Sequence, residues 1–129
     1  MTPPADKEIF KGEIADYWLE DNGILVSLSK SVRRTVANIS GNVELVKSIT
    51  NNKQVPLLIY LTKSPVSGKE TREFSAEQLP NIYKAMAMIS KPGIAKFIMN
   101  ILFKLKPPPI PMKNFTDENE AREWLKQYL

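Results

Sequence analysis

The chain has 129 residues, 43% of them hydrophobic and 25% charged, which is an ordinary globular composition and enough length for one domain with a real core. It contains no cysteine and no histidine, so disulfides, thiolate and imidazole metal sites, cysteine nucleophiles and a Ser-His-Asp triad are all excluded. The net charge of +4 and pI near 9.3 are mildly basic, short of the clustered positive field of a nucleic-acid binder.

Residues 1–8 read as a polar, proline-bearing tail and residues 9–129 as a single domain without linker or repeat. The first residues lack the basic and apolar regions of a secretion signal, and no uncharged apolar run is long enough to span a bilayer. A cytoplasmic location is expected, with membrane association not expected.

Ala15–Glu20 and Ile24–Leu28 read as strands joined through Glu20-Asp21-Asn22-Gly23, where Asn-Gly favours a tight hairpin. Val36, Ile39, Val43, Val46 and Ile49 then recur at steps of three and four, which places them on one helical face. Ser31 and Thr35 are both candidate N-caps for that helix. Val55–Leu61 is nearly continuous in apolar residues, as expected of a strand covered on both faces. A loop follows, then a short helical turn over Lys69–Phe74. A second short helix is expected from Ser75 to about Tyr83, because Ser75 and Gln78 have capping-box spacing.

Lys84–Ile89 reads as a buried strand, and Pro92–Leu105 as the most apolar helix, with Ile94, Ile98, Ile101 and Leu105 as its stripe. Met99 and Phe103 lie off that stripe and offer an apolar patch for a second copy of the chain. Lys106-Pro107-Pro108-Pro109 stops the helix. Ile110–Phe115 is a short edge or irregular strand containing Pro111. A terminal helix opens at Thr116-Asp-Glu-Asn119 and turns Ala121, Trp124, Leu125 and Tyr128 inward. Strands separated by helices imply a mostly parallel mixed sheet with an antiparallel hairpin at its edge and right-handed crossovers.

The stretches Val55–Leu61, Ala85–Pro92, Asn100–Pro111 and Phe115–Leu125 resemble the SpoIIAA-like, STAS-related single-domain proteins of bacteria, and most of all a branch common in Bacteroidetes. The resemblance covers roughly residues 15 to 129. It implies an α/β fold with a mixed, mostly parallel sheet of four to five strands, an N-terminal hairpin and flanking helices. It also implies regulatory binding of a partner kinase through the loop and helix after a central strand, switched by serine phosphorylation at that helix's start. Tyr60 stands here where the family has an acidic residue, and Lys69 falls closest to its serine position.

Glu70, Glu73 and Glu77 read as a solvated face rather than as acid–base catalysts, and Ser64, Ser67 and Thr71 have no base beside them. No enzymatic activity, cofactor or metal site is expected. The expected role is a protein-interaction module whose contact surface is Lys63, Ser64, Ser67, Lys69 and Arg72, with Ser64 and Ser67 as phosphorylation candidates. The partner is an unidentified protein or a second copy, not nucleic acid. The alternative is a small apolar or lipid ligand held between the sheet and helix 92–105, in a pocket lined by Met88, Phe97 and Ile101.

Overall fold

A computed structural model describes residues 2–63, 65, 67–90 and 108–129. Six strands form one sheet in chain order: β1 Phe10–Lys11, β2 Ala15–Leu19, β3 Leu25–Ser29, β4 Val55–Tyr60, β5 Tyr83–Ile89 and β6 Met112–Phe115. The first three are antiparallel, and β3 through β6 run parallel. The sheet therefore has one strand more than the four to five expected. The extra one, β1, pairs Phe10 with Tyr17 and is two residues long, too short to show a period.

The hairpin turn takes a three-residue form. Gly23 N–H donates to the Glu20 carbonyl at 3.0 Å and Glu20 N–H to the Ile24 carbonyl at 2.9 Å. Gly23 has φ +102°, the left-handed conformation that this bulged turn needs. Lys7, ahead of β1, pairs with Asp21 in the turn.

Helix α1 spans Val36–Thr50. Thr35, not Ser31, caps it: the Thr35 hydroxyl accepts from Asn38 N–H while the Asn38 side chain accepts from Thr35 N–H. Ser31 donates instead to the Lys63 carbonyl at 2.6 Å, tying two loops together. Asn51 ends the helix in the left-handed conformation.

Helix α2 is one continuous element, Lys69–Ile82, where the sequence suggested two. Ser75 sits in its interior, so the capping-box spacing there is coincidental. Extended Gly68 starts the helix. Pro80 forfeits one backbone bond near the far end, where Tyr83 N–H still reaches the Leu79 carbonyl. Strand β5 follows at once. Strand β6 begins two residues later than expected because Pro111 lies outside it, although the Pro111 carbonyl accepts from Met86 N–H at 2.9 Å. Helix α3, Glu118–Leu125, starts at Asp117, whose carboxylate accepts from Asn119 N–H at 2.7 Å. A 3-10 turn, Lys126–Tyr128, completes the chain. The helix expected at Pro92–Leu105, with Met99 and Phe103, lies outside the described residues.

Alternation along the strands builds two cores. Tyr17, Leu25, Leu57, Met86 and Met88 meet Ile39, Val43 and Val46 of α1 and Ile82 of α2 on one face. Trp18, Val26, Leu58, Ala85 and Ala87 meet Phe115, Ala121 and Leu125 on the other. Small Ala85 and Ala87 let α3 lie close, and Trp124 packs between Phe115 and Tyr128 at centroid distances of 5.7 and 5.2 Å. The adjacent Leu57 and Leu58 go to opposite cores, which is why the β4 segment is apolar at every position.

Candidate functional site

Strands β3, β4 and β5 are parallel, so their carboxyl ends share one edge of the sheet. The segments leaving β3 and β4 there lead into the N-termini of α1 and α2. Crevices at such edges are where open α/β sheets take ligands. Here the space between the sheet and the two helices is a cavity of about 820 Å³. Tyr17, Leu57, Ile59, Met86 and Met88 form its floor, and Ile39, Val43, Leu79 and Ile82 its walls. Arg34, Thr62, Ser67, Lys69 and Arg72 stand at the carboxyl edge of the strands and form its rim. The volume lies in the range of small-molecule sites and far above a packing defect.

Several of the polar groups at the cavity are held in place by hydrogen bonds. Asn42 on α1 donates to the Tyr17 hydroxyl at 2.7 Å, while its own carbonyl oxygen is buried without a partner among the described residues. Tyr83 is fully buried beside Tyr17, and burial first, then Tyr17, pushes its phenol well above the usual range. The Arg34 guanidinium straps the rim to β2 and β3. It donates to the carbonyls of Lys30 and Val32 at 2.5 Å, to that of Ile14 at 3.1 Å, and to the Ser29 hydroxyl at 2.7 Å. Burial lowers its pKa from the free value, against the opposing influence of Tyr17.

The loop before α2 is tied to the same strap. Ser67 donates from its hydroxyl to the Arg34 carbonyl at 3.2 Å, and Arg72 donates to the Ser67 carbonyl at 2.6 Å. Gly68 caps α2 without a side chain, so the cap residue itself offers no hydroxyl or carboxylate to the N–H groups of the first turn. Lys69 pairs with Glu73 at 3.8 Å one turn on.

Of the residues singled out from sequence, Ser67, Lys69 and Arg72 rim the cavity and Met88 lines its floor. Lys63 is exposed beside them. Ser64, Phe97 and Ile101 lie outside the described residues. The pocket expected from sequence lay against helix 92–105, outside the described residues; the cavity seen here lies under α1 and α2 and shares Met88 with it. Tyr17, Arg34, Asn42 and Tyr83 were not legible as site residues. Tyr17 carried the signal of a core aromatic, and the other three gain their setting only from the order of the strands. Among the described residues no cluster of three or more acidic side chains could hold a metal ion, and no helix is long and apolar enough to cross a membrane.

A family model described as a domain of unknown function, DUF7793, matches residues 17–129. The chain belongs to this family. A solved structure similar to it is an uncharacterized protein of the DUF3478 family with a SpoIIAA-like fold from Shewanella loihica PV-4. The two superpose with a TM-score of 0.56 at 16% identity over 97% of this chain and 98% of the other. The DUF7793 chain therefore has a SpoIIAA-like α/β fold. No curated protein matches its sequence.

Proposed function

We propose that this protein is a non-enzymatic, cytoplasmic binding module of the SpoIIAA-like type, and that its working site is the cavity under α1 and α2, which takes a small molecule with an apolar body. One observation carries the reading: a space of about 820 Å³ with an apolar floor and walls opens where the strands end. Two features favour binding over catalysis. The chain has neither histidine nor cysteine, and the carboxylate at the cavity, Glu73, is paired with Lys69.

The neutral dye N-phenyl-1-naphthylamine tests this. Saturable binding of one equivalent is expected, with loss of binding in Ala76→Trp, which fills the cavity from α2, at an unchanged circular dichroism spectrum. Absence of saturable binding, or binding that survives in the filled variant, would overturn the reading.

A protein partner touching Lys63, Ser64, Ser67, Lys69 and Arg72 is the second reading. It is favoured by the exposure of Lys63, on a loop pinned at both ends by Ser31 and Arg34, and of Lys69 where α2 begins. Phosphorylation at Ser67 would break its bond to the Arg34 carbonyl and so act on the rim directly. A Lys63, Lys69, Arg72 triple alanine variant that retains every partner of the wild type in a pull-down would refute this second reading.

A further inference from the structure

The cavity has a direction. Leu79, Ile82 and Tyr83, at the carboxyl end of α2 and the amino end of β5, are apolar or aromatic, with Gln78 beside them, and Leu57 and Met86 lie mid-strand. Arg34, Lys69 and Arg72 belong to the opposite end. Of the four charged side chains at the cavity among the described residues, three are cations and one is the carboxylate of Glu73. Glu73 is held by Lys69, and the other two charges of this set are the guanidinium groups of Arg34 and Arg72.

Their chemistry differs. Arg34 is committed to backbone carbonyls and contributes fixed charge. Arg72 places Nη1 on the Ser67 carbonyl and makes no other hydrogen bond among the described residues, so its remaining N–H groups can grip an anion in the bidentate manner of guanidinium. The N-terminus of α2, where Gly68 supplies no capping side chain, adds to the same potential, and the exposed Glu70 in its first turn takes part of it away. A largely apolar end and a cationic end together select for an amphipathic anion.

We infer that the cavity binds a single-chain amphiphile with its apolar tail among Leu57, Met86, Leu79 and Ile82 and its carboxylate or phosphate headgroup at Arg72. This rests on the cavity being the binding site, and it adds the ligand's charge and orientation.

Displacement of bound N-phenyl-1-naphthylamine by dodecanoate, dodecyl phosphate, dodecan-1-ol and dodecylammonium, all below their micellar concentrations, separates the two claims. Dodecanoate and dodecyl phosphate are expected to displace the dye about tenfold more tightly than dodecan-1-ol, with dodecylammonium weakest. Arg72→Gln is expected to abolish that preference while dodecan-1-ol binds as before, which also shows the variant is folded. Equal potency of the alcohol and the anions, or a preference that survives in Arg72→Gln, would overturn the charge assignment alone. Displacement by acetate or inorganic phosphate as strong as by their long-chain counterparts would overturn the tail. Failure of every long-chain probe to displace the dye would overturn this inference, and absence of saturable dye binding would bring down the cavity reading beneath it.

Discussion

Arg122 on α3 grips both carboxylate oxygens of Glu20, each at 3.1 Å, across 102 residues of chain. Glu20 sits at the hairpin turn, so the pair fastens the last helix to the first long strands. The Glu118 carboxylate lies 3.7 Å from the same guanidinium and accepts from the Tyr60 hydroxyl, which extends the clasp to β4. Each partner of the Arg122–Glu20 pair is about a quarter exposed, so solvent screens part of the attraction. Arg122→Ala should therefore cost about 1–2 kcal/mol, seen as a fall in Tm of about 4–7 °C. Arg122→Lys should recover little of it, because an ammonium cannot hold two oxygens in a fork.

The Tyr60 phenol is pushed up to about 12, by burial first and then by its bond to Glu118 and that carboxylate's charge. An unfolded tyrosine titrates near 10. The folded group holds its proton more tightly, so its contribution is fully present below about pH 10 and is lost as pH rises towards 12. Denaturant midpoints measured across that window should fall more steeply for the wild type than for Tyr60→Phe. Tyr60 is only half-buried, so the difference should be on the order of 1 kcal/mol.

The parts of this fold that were legible in sequence are those where local pattern and final environment agree. The stripe Ile39, Val43, Val46 faces the core, and the run around Leu57 and Leu58 is covered on both sides. Helix α2 was misread because a serine and a glutamine three apart look alike at a cap and inside a helix. What distinguishes Ser75 is that Gly68 had already started the helix, a fact about the loop and not about Ser75. The cavity under α1 and α2 was not itself legible, since the pocket expected from sequence lay against helix 92–105. Met88 and the loop residues near Arg72 stand out locally, whereas Tyr17, Arg34 and Asn42 come from separate segments. Those segments meet only because β2, β3 and β4 are neighbours in the sheet. No periodicity encodes that.

Two glycines should respond to alanine in opposite directions. A Cβ on Gly12 would stand 2.7 Å from the Ala15 carbonyl oxygen and 2.9 Å from Leu45 Cδ2. That carbonyl accepts the Gly12 N–H at 3.0 Å and belongs to the corner between β1 and β2, so it cannot retreat without breaking the corner. Gly12→Ala should cost about 1–3 kcal/mol. Gly41 lies on the exposed side of α1, and a Cβ there meets nothing within 4 Å. Gly41→Ala should stabilise by about 0.5–1 kcal/mol through the unfolded chain's lost freedom. Thermal melts of the two variants against the wild type check both signs.

Ser27 poses the opposite problem from a clash. It stands in the middle of β3, paired with Tyr17 on one side and Ile59 on the other, and is fully buried. Its hydroxyl finds no hydrogen-bond partner among the described residues. A buried hydroxyl that has left water without a replacement bond costs about 1–3 kcal/mol, whereas the oxygen's removal leaves a void smaller than a methyl group. Ser27→Ala should therefore be neutral or stabilising by up to about 1 kcal/mol, with a Tm equal to or a few degrees above that of the wild type. The larger Ser27→Val separates space from polarity. A gain beyond that of alanine would mean that the floor beneath the cavity has room to spare, and a loss would mean that Tyr17 and Ile59 already close over it. A Ser27→Ala variant more than about 1 kcal/mol less stable than the wild type would show that the hydroxyl is bonded after all.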